Sequence, residues 1–295
     1  MKLAVLFGLC AAGLVGGLMG AQGQVLTADG FEDGNFSRWR MQTWGKENEG
    51  TITEPPAPFE GTKAFRAVAN PKAAAAGRNW CEIGRYIGRT GDMRWWGFAM
   101  LIPEDFRADG QNAVLCQLHS RADKELGERA VAPEVVLRLV GELLIIEVRS
   151  DAGALSVAGQ WGTGGTISNA RIYEGPIERG KWTTFVFQIK TNFEGDGYVN
   201  VWRDGEQVAN YEGPVGMNNA PNKSLRVGLY KKFYKDLPDD AEQVVWFDAF
   251  TIGDQDATLE TVNPNPDGIR AAGKIPNGYE GPLHKMETSE TPEVP

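Results

Sequence analysis

Trp182-Thr-Thr-Phe-Val-Phe-Gln-Ile-Lys190 alternates with the period of a half-buried strand: Phe185, Phe187 and Ile189 on one face, Thr184, Val186 and Gln188 on the other. Downstream, Tyr198 to Arg203 runs into Asp204-Gly205, a pair suited to the positive φ of a two-residue hairpin turn, and Gln207 to Tyr211 returns. The same grammar marks Lys63 to Val68, Asn79 to Tyr86, Met93 to Ile102, Ala113 to Ser120 and Glu134 to Val140. It marks Glu142 to Arg149, Leu225 to Lys232 and Gln243 to Ile252 as well. No long stretch carries apolar residues at helical spacing. The pattern predicts an all-β fold, a β-jelly-roll sandwich of two antiparallel sheets. When one sheet of such a sandwich forms a groove, side chains two residues apart on a strand face the same ligand.

The chain ends are of another kind. Lys2, the apolar run from Leu3 to Met19 and the small residues around Ala21-Gln22-Gly23 have the order of a secretory leader, so residues 1–23 are set apart from the fold. Residues 24–262 then form one jelly-roll domain, a size that all-β sandwiches reach as a single unit. From Asn263 onward the sequence is rich in Pro, Gly, Glu and Thr and reads as a flexible tail over 263–295, with His284 as a solvated residue inside it. The expected protein is secreted, without a stable membrane anchor, and monomeric.

A formal net charge of −9 argues against nucleic acid as a partner. An acidic polysaccharide would have to meet a locally basic groove. Cys81 and Cys116 are the two cysteines beyond the leader, and export permits a bond between them. Strand alternation points both toward the core.

Ala113-Val-Leu-Cys-Gln-Leu-His-Ser120 places Leu115, Gln117 and His119 on one face, and Val114, Cys116 and Leu118 on the other. A lone strand histidine is more often structural than catalytic. His119, however, is the only histidine of the expected fold and has an amide two residues before it. Leu225-Arg-Val-Gly-Leu-Tyr-Lys-Lys232 sets Arg226, Gly228, Tyr230 and Lys232 on one face, the glycine leaving room for a ligand to approach the backbone. Taken alone it is an exposed basic strand. Arg78-Asn-Trp-Cys-Glu-Ile-Gly-Arg85 adds Arg78, Trp80 and Glu82, a cation, an aromatic platform and a carboxylate that would otherwise be a rim salt bridge.

These three strands together resemble the jelly-roll polysaccharide lyases, the superfamily of alginate, glucuronan and heparin lyase I-like enzymes. Shorter phrases extend the resemblance over Asp29 to Asp254: Gly30-Phe-Glu-Asp-Gly34, Trp95-Trp-Gly-Phe-Ala-Met-Leu-Ile-Pro-Glu-Asp-Phe106, Gly197-Tyr-Val-Asn-Val-Trp-Arg-Asp-Gly205 and Trp246-Phe-Asp-Ala-Phe-Thr-Ile-Gly253. The resemblance implies β-elimination next to a uronic acid, with no cofactor required. In that chemistry a donor neutralises the carboxylate, a base removes the C5 proton and an acid protonates O4. It implies Gln117, His119 and Tyr230 for those roles, with Tyr230 serving as both base and acid in some relatives. The chain departs from the alginate lyase pattern at Trp80, where an arginine is usual, and at Arg226, where lysine is usual. The carboxylate-binding arginine stays open among Arg78, Arg138, Arg149 and Arg226.

Two rivals share the architecture. A glycan-binding module could use Trp80, Trp95 and Trp202 as sugar platforms, but it has no reason to hold His119 and Tyr230 within reach of one ligand. A sandwich glycoside hydrolase needs a pair of carboxylates about the scissile bond, and no strand shows closely alternating acids. Glu32, Asp33 and Asp248, near the two ends of the domain, are candidate ligands for a structural calcium.

Overall fold

The computed structural model describes residues 24–43, 49–77, 80–128, 131–156 and 168–264. The expected leader, Arg78 and His284 lie outside the described residues. In chain order the strands begin with β1 (Val25–Asp29), β2 (Met41–Thr43), β3 (Thr51–Thr53), β4 (Ala64–Ala69), β5 (Trp80–Arg89), β6 (Met93–Leu101), β7 (Asn112–Arg121) and β8 (Val135–Val140). They continue as β9 (Leu143–Asp151), β10 (Ser168–Pro176), β11 (Trp182–Lys190), β12 (Tyr198–Arg203), β13 (Glu206–Glu212), β14 (Gly216–Met217), β15 (Ala220–Tyr230) and β16 (Gln243–Gly253). Two short helices, α1 (Pro71–Ala75) and α2 (Leu259–Val262), accompany them.

Two eight-stranded sheets result. The first runs in the order β13, β12, β11, β6, β16, β4, β3, with β1 added to β16. The second runs β10, β9, β8, β7, β15, β5, β2, with β14 beside β9. Pairing is antiparallel apart from the short contact of β14 with β9. Between the sheets lies one core, in which Phe98, Phe185, Phe187, Phe247 and Phe250 of the first sheet meet Ile83, Leu118, Leu137, Ile146, Val227 and Leu229 of the second. Phe98 stacks on Phe250 at 5.8 Å and on Phe187 at 6.3 Å, offset contacts that add to the burial of their area. This is the jelly roll expected from the alternation.

Alternation fails at one place that matters. Ala113, Leu115, Cys116 and Leu118 all belong to the core, so two consecutive residues of β7 point inward. The cause is a β-bulge: Val114 pairs with Arg138 and Cys116 with Leu137, leaving Leu115 without a partner on β8. Leu115 therefore faces the core, contrary to simple alternation, and Val114 takes the outer position. Beyond the bulge Gln117 and His119 point outward as expected.

Cys81 and Cys116 are buried core thiols and are not bonded to each other. Trp95 and Trp202 stack at 5.5 Å in a satellite cluster with Val186, Ala257 and Val262, apart from the main core and from the second sheet's outer face. The C-terminal end of α2 packs there so closely that a Cβ on Gly97 would meet the Val262 carbonyl oxygen at 2.2 Å. That position requires glycine because of backbone approach rather than turn geometry.

Candidate active site

On β5 and β15 the outward residues of the second sheet are those that alternation predicts, because their mutual register is unbroken from Ser224↔Tyr86 to Tyr230↔Trp80. Trp80 and Glu82 face outward from β5, and Arg226 and Tyr230 from β15, while Cys81, Ile83, Val227 and Leu229 fill the core. Along β15 the cross-strand partners form a track. His119 lies opposite Ser224, Gln117 opposite Arg226, Glu82 opposite Gly228, and Trp80 opposite Tyr230.

At its centre Gln117 Nε2 donates to Glu82 Oε1 at 2.6 Å. Both side chains are buried. Burial raises the Glu82 carboxyl above its usual range, opposed by the positive charge of Arg226 and by the Gln117 hydrogen bond. Among the described residues Arg226 has no carboxylate at ion-pair distance, and its Nε is buried without a hydrogen-bond partner. A cation so placed is a ready partner for an incoming anion.

His119 is half-buried beside this centre. Its Nδ1 contacts the Ser120 carbonyl oxygen, which can only accept, so the neutral ring carries its proton on Nδ1 and leaves the lone pair on Nε2. Loss of hydration, then the charge of Arg226, lowers its pKa from 6.5 to about 4, against upward pulls from the Ser120 and Val131 backbone. The ring is therefore a neutral acceptor at ordinary pH.

Tyr230 stands elsewhere on the track. Its ring lies 6.3 Å from that of Trp80, with Lys232 Nζ 6.0 Å from its centroid. Ser224 and Tyr230 are six residues apart on β15, roughly 20 Å of strand. The structure thus places His119 and Tyr230 on one face but at its two ends, rather than converging as the sequence reading expects. Lys232, just past the end of β15, stays on the Tyr230 side, because Lys231 between them turns inward to pair with Asp109 at 2.5 Å.

The other arginines are engaged. Glu147, buried on β9, pairs with Arg138 and, at 2.7 Å, with Arg149, which also donates to the Pro133 carbonyl at 3.1 Å. Sequence reasoning singled out Arg149 and missed Glu147, though the two-residue spacing on one strand was its signal. The proposed calcium ligands are occupied differently. Glu32 accepts from the backbone N–H groups of Thr62 and Lys63, Asp33 pairs with Arg38, and Asp248 accepts from the N–H groups of Glu60 and Ala249. Among the described residues no three acidic, histidine or cysteine side chains stand together as a metal site. A small cavity of about 10 Å³ is lined by Ile87, Asp92, Arg94, Trp96, Leu118 and Lys223.

A family model described as polysaccharide lyase matches residues 31–251. None of the curated proteins matches the chain. Among solved structures, the endo-β-1,4-glucuronan lyase from the fungus Trichoderma reesei is similar at 20% identity and a TM-score of 0.65, over 83% of this chain and 100% of that one. The alginate lyase vAL-1 from Chlorella virus is similar at 11% identity and a TM-score of 0.53, over 78% and 100% of the respective chains. At these identities the likeness concerns the fold.

Proposed function

Since the chain belongs to the polysaccharide lyase family, we propose that it cleaves a uronic-acid-containing polysaccharide by β-elimination along the β15 track. The observation that carries this reading is Arg226, without a carboxylate partner among the described residues, beside Gln117 and close enough to His119 to depress its pKa. Elimination places negative charge beside the uronate carboxylate as H5 departs, so the groups that neutralise that carboxylate must stand next to the base. Arg226 and the second amide hydrogen of Gln117 fill the first role. Nε2 of His119, two positions along the track, fills the second.

In the step itself His119 takes H5, the C5–H electrons form the C4–C5 double bond, and the C4–O4 bond breaks. O4 leaves with a proton. Because C5 and O4 belong to one sugar and Tyr230 stands roughly 20 Å along β15 from His119, water supplies that proton in this arrangement, and Tyr230 is the acid only in the alternative in which it is also the base. The Trp80–Tyr230 contact favours a second reading, in which the two rings form a platform for a neighbouring sugar. The balance of one proton removed and one supplied asks for no cofactor.

Glucuronan, alginate and glycosaminoglycans all carry the required uronate. Incubating purified protein with each polymer and following the ultraviolet absorbance of the new double bond tests the reaction. Absorbance with none of them, alongside cleavage of a neutral polymer, would refute uronate specificity. The charged start, apolar run and small residues of positions 1–23 support export. Mass spectrometry of the exported protein should find an N-terminus near Gln24, and recovery of the intact Met1 form from the cytoplasm alone would count against it.

A further inference from the structure

Beneath His119 lies a buried charge pair that the proposed chemistry leaves unused. Glu134 is fully buried and Lys223 is 2% exposed, and their charges meet at 2.5 Å. The same Glu134 oxygen accepts from the Ser120 hydroxyl at 2.9 Å and from the Met217 backbone N–H at 3.3 Å. The Glu134 N–H in turn donates to the Leu118 carbonyl at 2.8 Å. One carboxylate thus ties β7, β14 and β15 together around the residue that follows His119. Ser120 is also the residue whose carbonyl receives His119 Nδ1, and Ser224 Oγ holds the His119 carbonyl at 3.0 Å.

Such a pair is an inefficient way to stabilise a fold. Removing two charges from water costs about as much as their attraction returns, and apolar residues of equal volume often do better. A buried pair does fix geometry, because every other arrangement leaves a charge without a partner. Here the fixed object is Ser120, whose carbonyl meets Nδ1 of the His119 ring.

We propose that Glu134 and Lys223 are positioning residues for His119, holding the Ser120 carbonyl so that Nδ1 keeps the proton and Nε2 faces the substrate. The proposal rests on His119 being the base, but its structural half can be read without turnover. The charged groups on the strands about His119 are Arg226 and Lys223 on β15, Glu134 ahead of β8, Glu82 on β5 behind Gln117, and Arg138, Glu147 and Arg149 on β8 and β9. Of these, Glu134 accepts from the Ser120 hydroxyl directly, and Lys223 is tied to Ser120 through Glu134.

The sign of each variant follows. Lys223→Met leaves an uncompensated carboxylate below the ring and raises the His119 pKa, whereas Glu134→Gln leaves an ammonium and lowers it. Ser120→Ala keeps the charges but cuts the tether. Nitrogen-15 spectra of the full chain carrying His284→Ala report His119 alone, since the sequence has two histidines. The parent should show the Nδ1–H tautomer, the two charge variants opposite shifts of the titration midpoint, and Ser120→Ala a mixture of tautomers. In Ser120→Ala, kcat should fall about 10-fold with KM unchanged, as misplacement of a reacting group predicts.

Circular dichroism checks that each variant folds, and Ser120→Ala, which buries no lone charge, carries the test if the others do not. Shifts of the same sign in both charge variants, or a folded Ser120→Ala with an unmixed Nδ1–H tautomer, would overturn the proposal. Altered spectra with unchanged kcat in Ser120→Ala would instead remove His119 from the base role while keeping the clamp.

Discussion

Gln117 and Glu82 touch at 2.6 Å although β15 runs between their strands. Two strand spacings are about 10 Å, so both side chains must lean over the intervening strand. Where they cross, β15 carries Gly228, the cross-strand partner of Glu82. Its φ of +145° and the approach of β5 leave no room for a side chain: a Cβ would lie 2.1 Å from the Cys81 carbonyl oxygen. The amide of Gln117 is therefore aimed by a carboxylate two strands away, through a gap that glycine keeps open.

Gly228→Ala should consequently cost about 3 kcal/mol or more, combining left-handed backbone strain with a backbone clash. Thermal or urea unfolding measures it. An unchanged midpoint would show that β5 can retreat, and that the close approach is not required.

Glu82 makes stability depend on pH in a stated direction. Its carboxyl has a raised pKa in the fold, so the folded state binds the proton more tightly than the unfolded chain. The associated stabilisation is complete below the ordinary carboxylate range and is lost as pH rises through the folded value. Glu82→Gln does not titrate, so its unfolding midpoint relative to the parent should improve from pH 4 to pH 7. A difference that shrinks over that interval contradicts the assignment.

For His119 the shift is downward, to about 4. A ring that stays neutral until then remains a competent base well below the ordinary value of 6.5. The acid limb of kcat/KM should lie nearer pH 4, since that limb reports the free enzyme. A limb at 6.5 that disappears in no variant of His119 would argue against it.

His119→Ala should reduce turnover by about 10²–10⁴-fold while polymer binding persists, the usual loss on removing a proton-transfer group. Tyr230→Phe distinguishes its two readings: a comparable loss of kcat marks the acid, whereas an increase in KM with kcat retained marks a sugar platform with Trp80. The double-bond assay and a binding isotherm, run on the same preparations, separate them.

Cys81 and Cys116 should resist alkylation in the native protein. Burial pushes the Cys81 thiol up to about 12 and raises that of Cys116 as well, so neither supplies thiolate at neutral pH. Rapid labelling without denaturant, counted by intact mass, would mean the sandwich opens far more readily than its core implies.

Much of this was legible in the sequence where burial enforces alternation. Trp182–Lys190 and Tyr198–Arg203 form strands with the boundaries their alternation predicts, because each has one face in the aromatic core. β10, Ser168–Pro176, was not read as a strand. It lies at a sheet edge and carries Asn169, Arg171 and Glu174, so its pairing with β9 comes from the backbone rather than from an apolar stripe. The outward sets of β5 and β15 were readable for the same reason as the core. Partners were not. Nothing in a one-dimensional pattern records that Arg138 and Arg149 share Glu147, or that register separates His119 from Tyr230.

The bulge at Leu115 divides β7 into halves with different freedom to change length. From Cys116 onward, gaining or losing one residue would exchange Gln117 and His119 with Cys116 and Leu118, turning the amide and imidazole into the core and thiol and leucine outward. Ahead of it, the unpaired residue already absorbs a mismatch with β8, so a single insertion or deletion there adds or removes slack and leaves the downstream register intact. Descendants of this gene should therefore vary in length between β6 and Leu115 while keeping the spacing from Cys116 to Arg121 fixed, a trace of geometry that inheritance would preserve even where side chains drift.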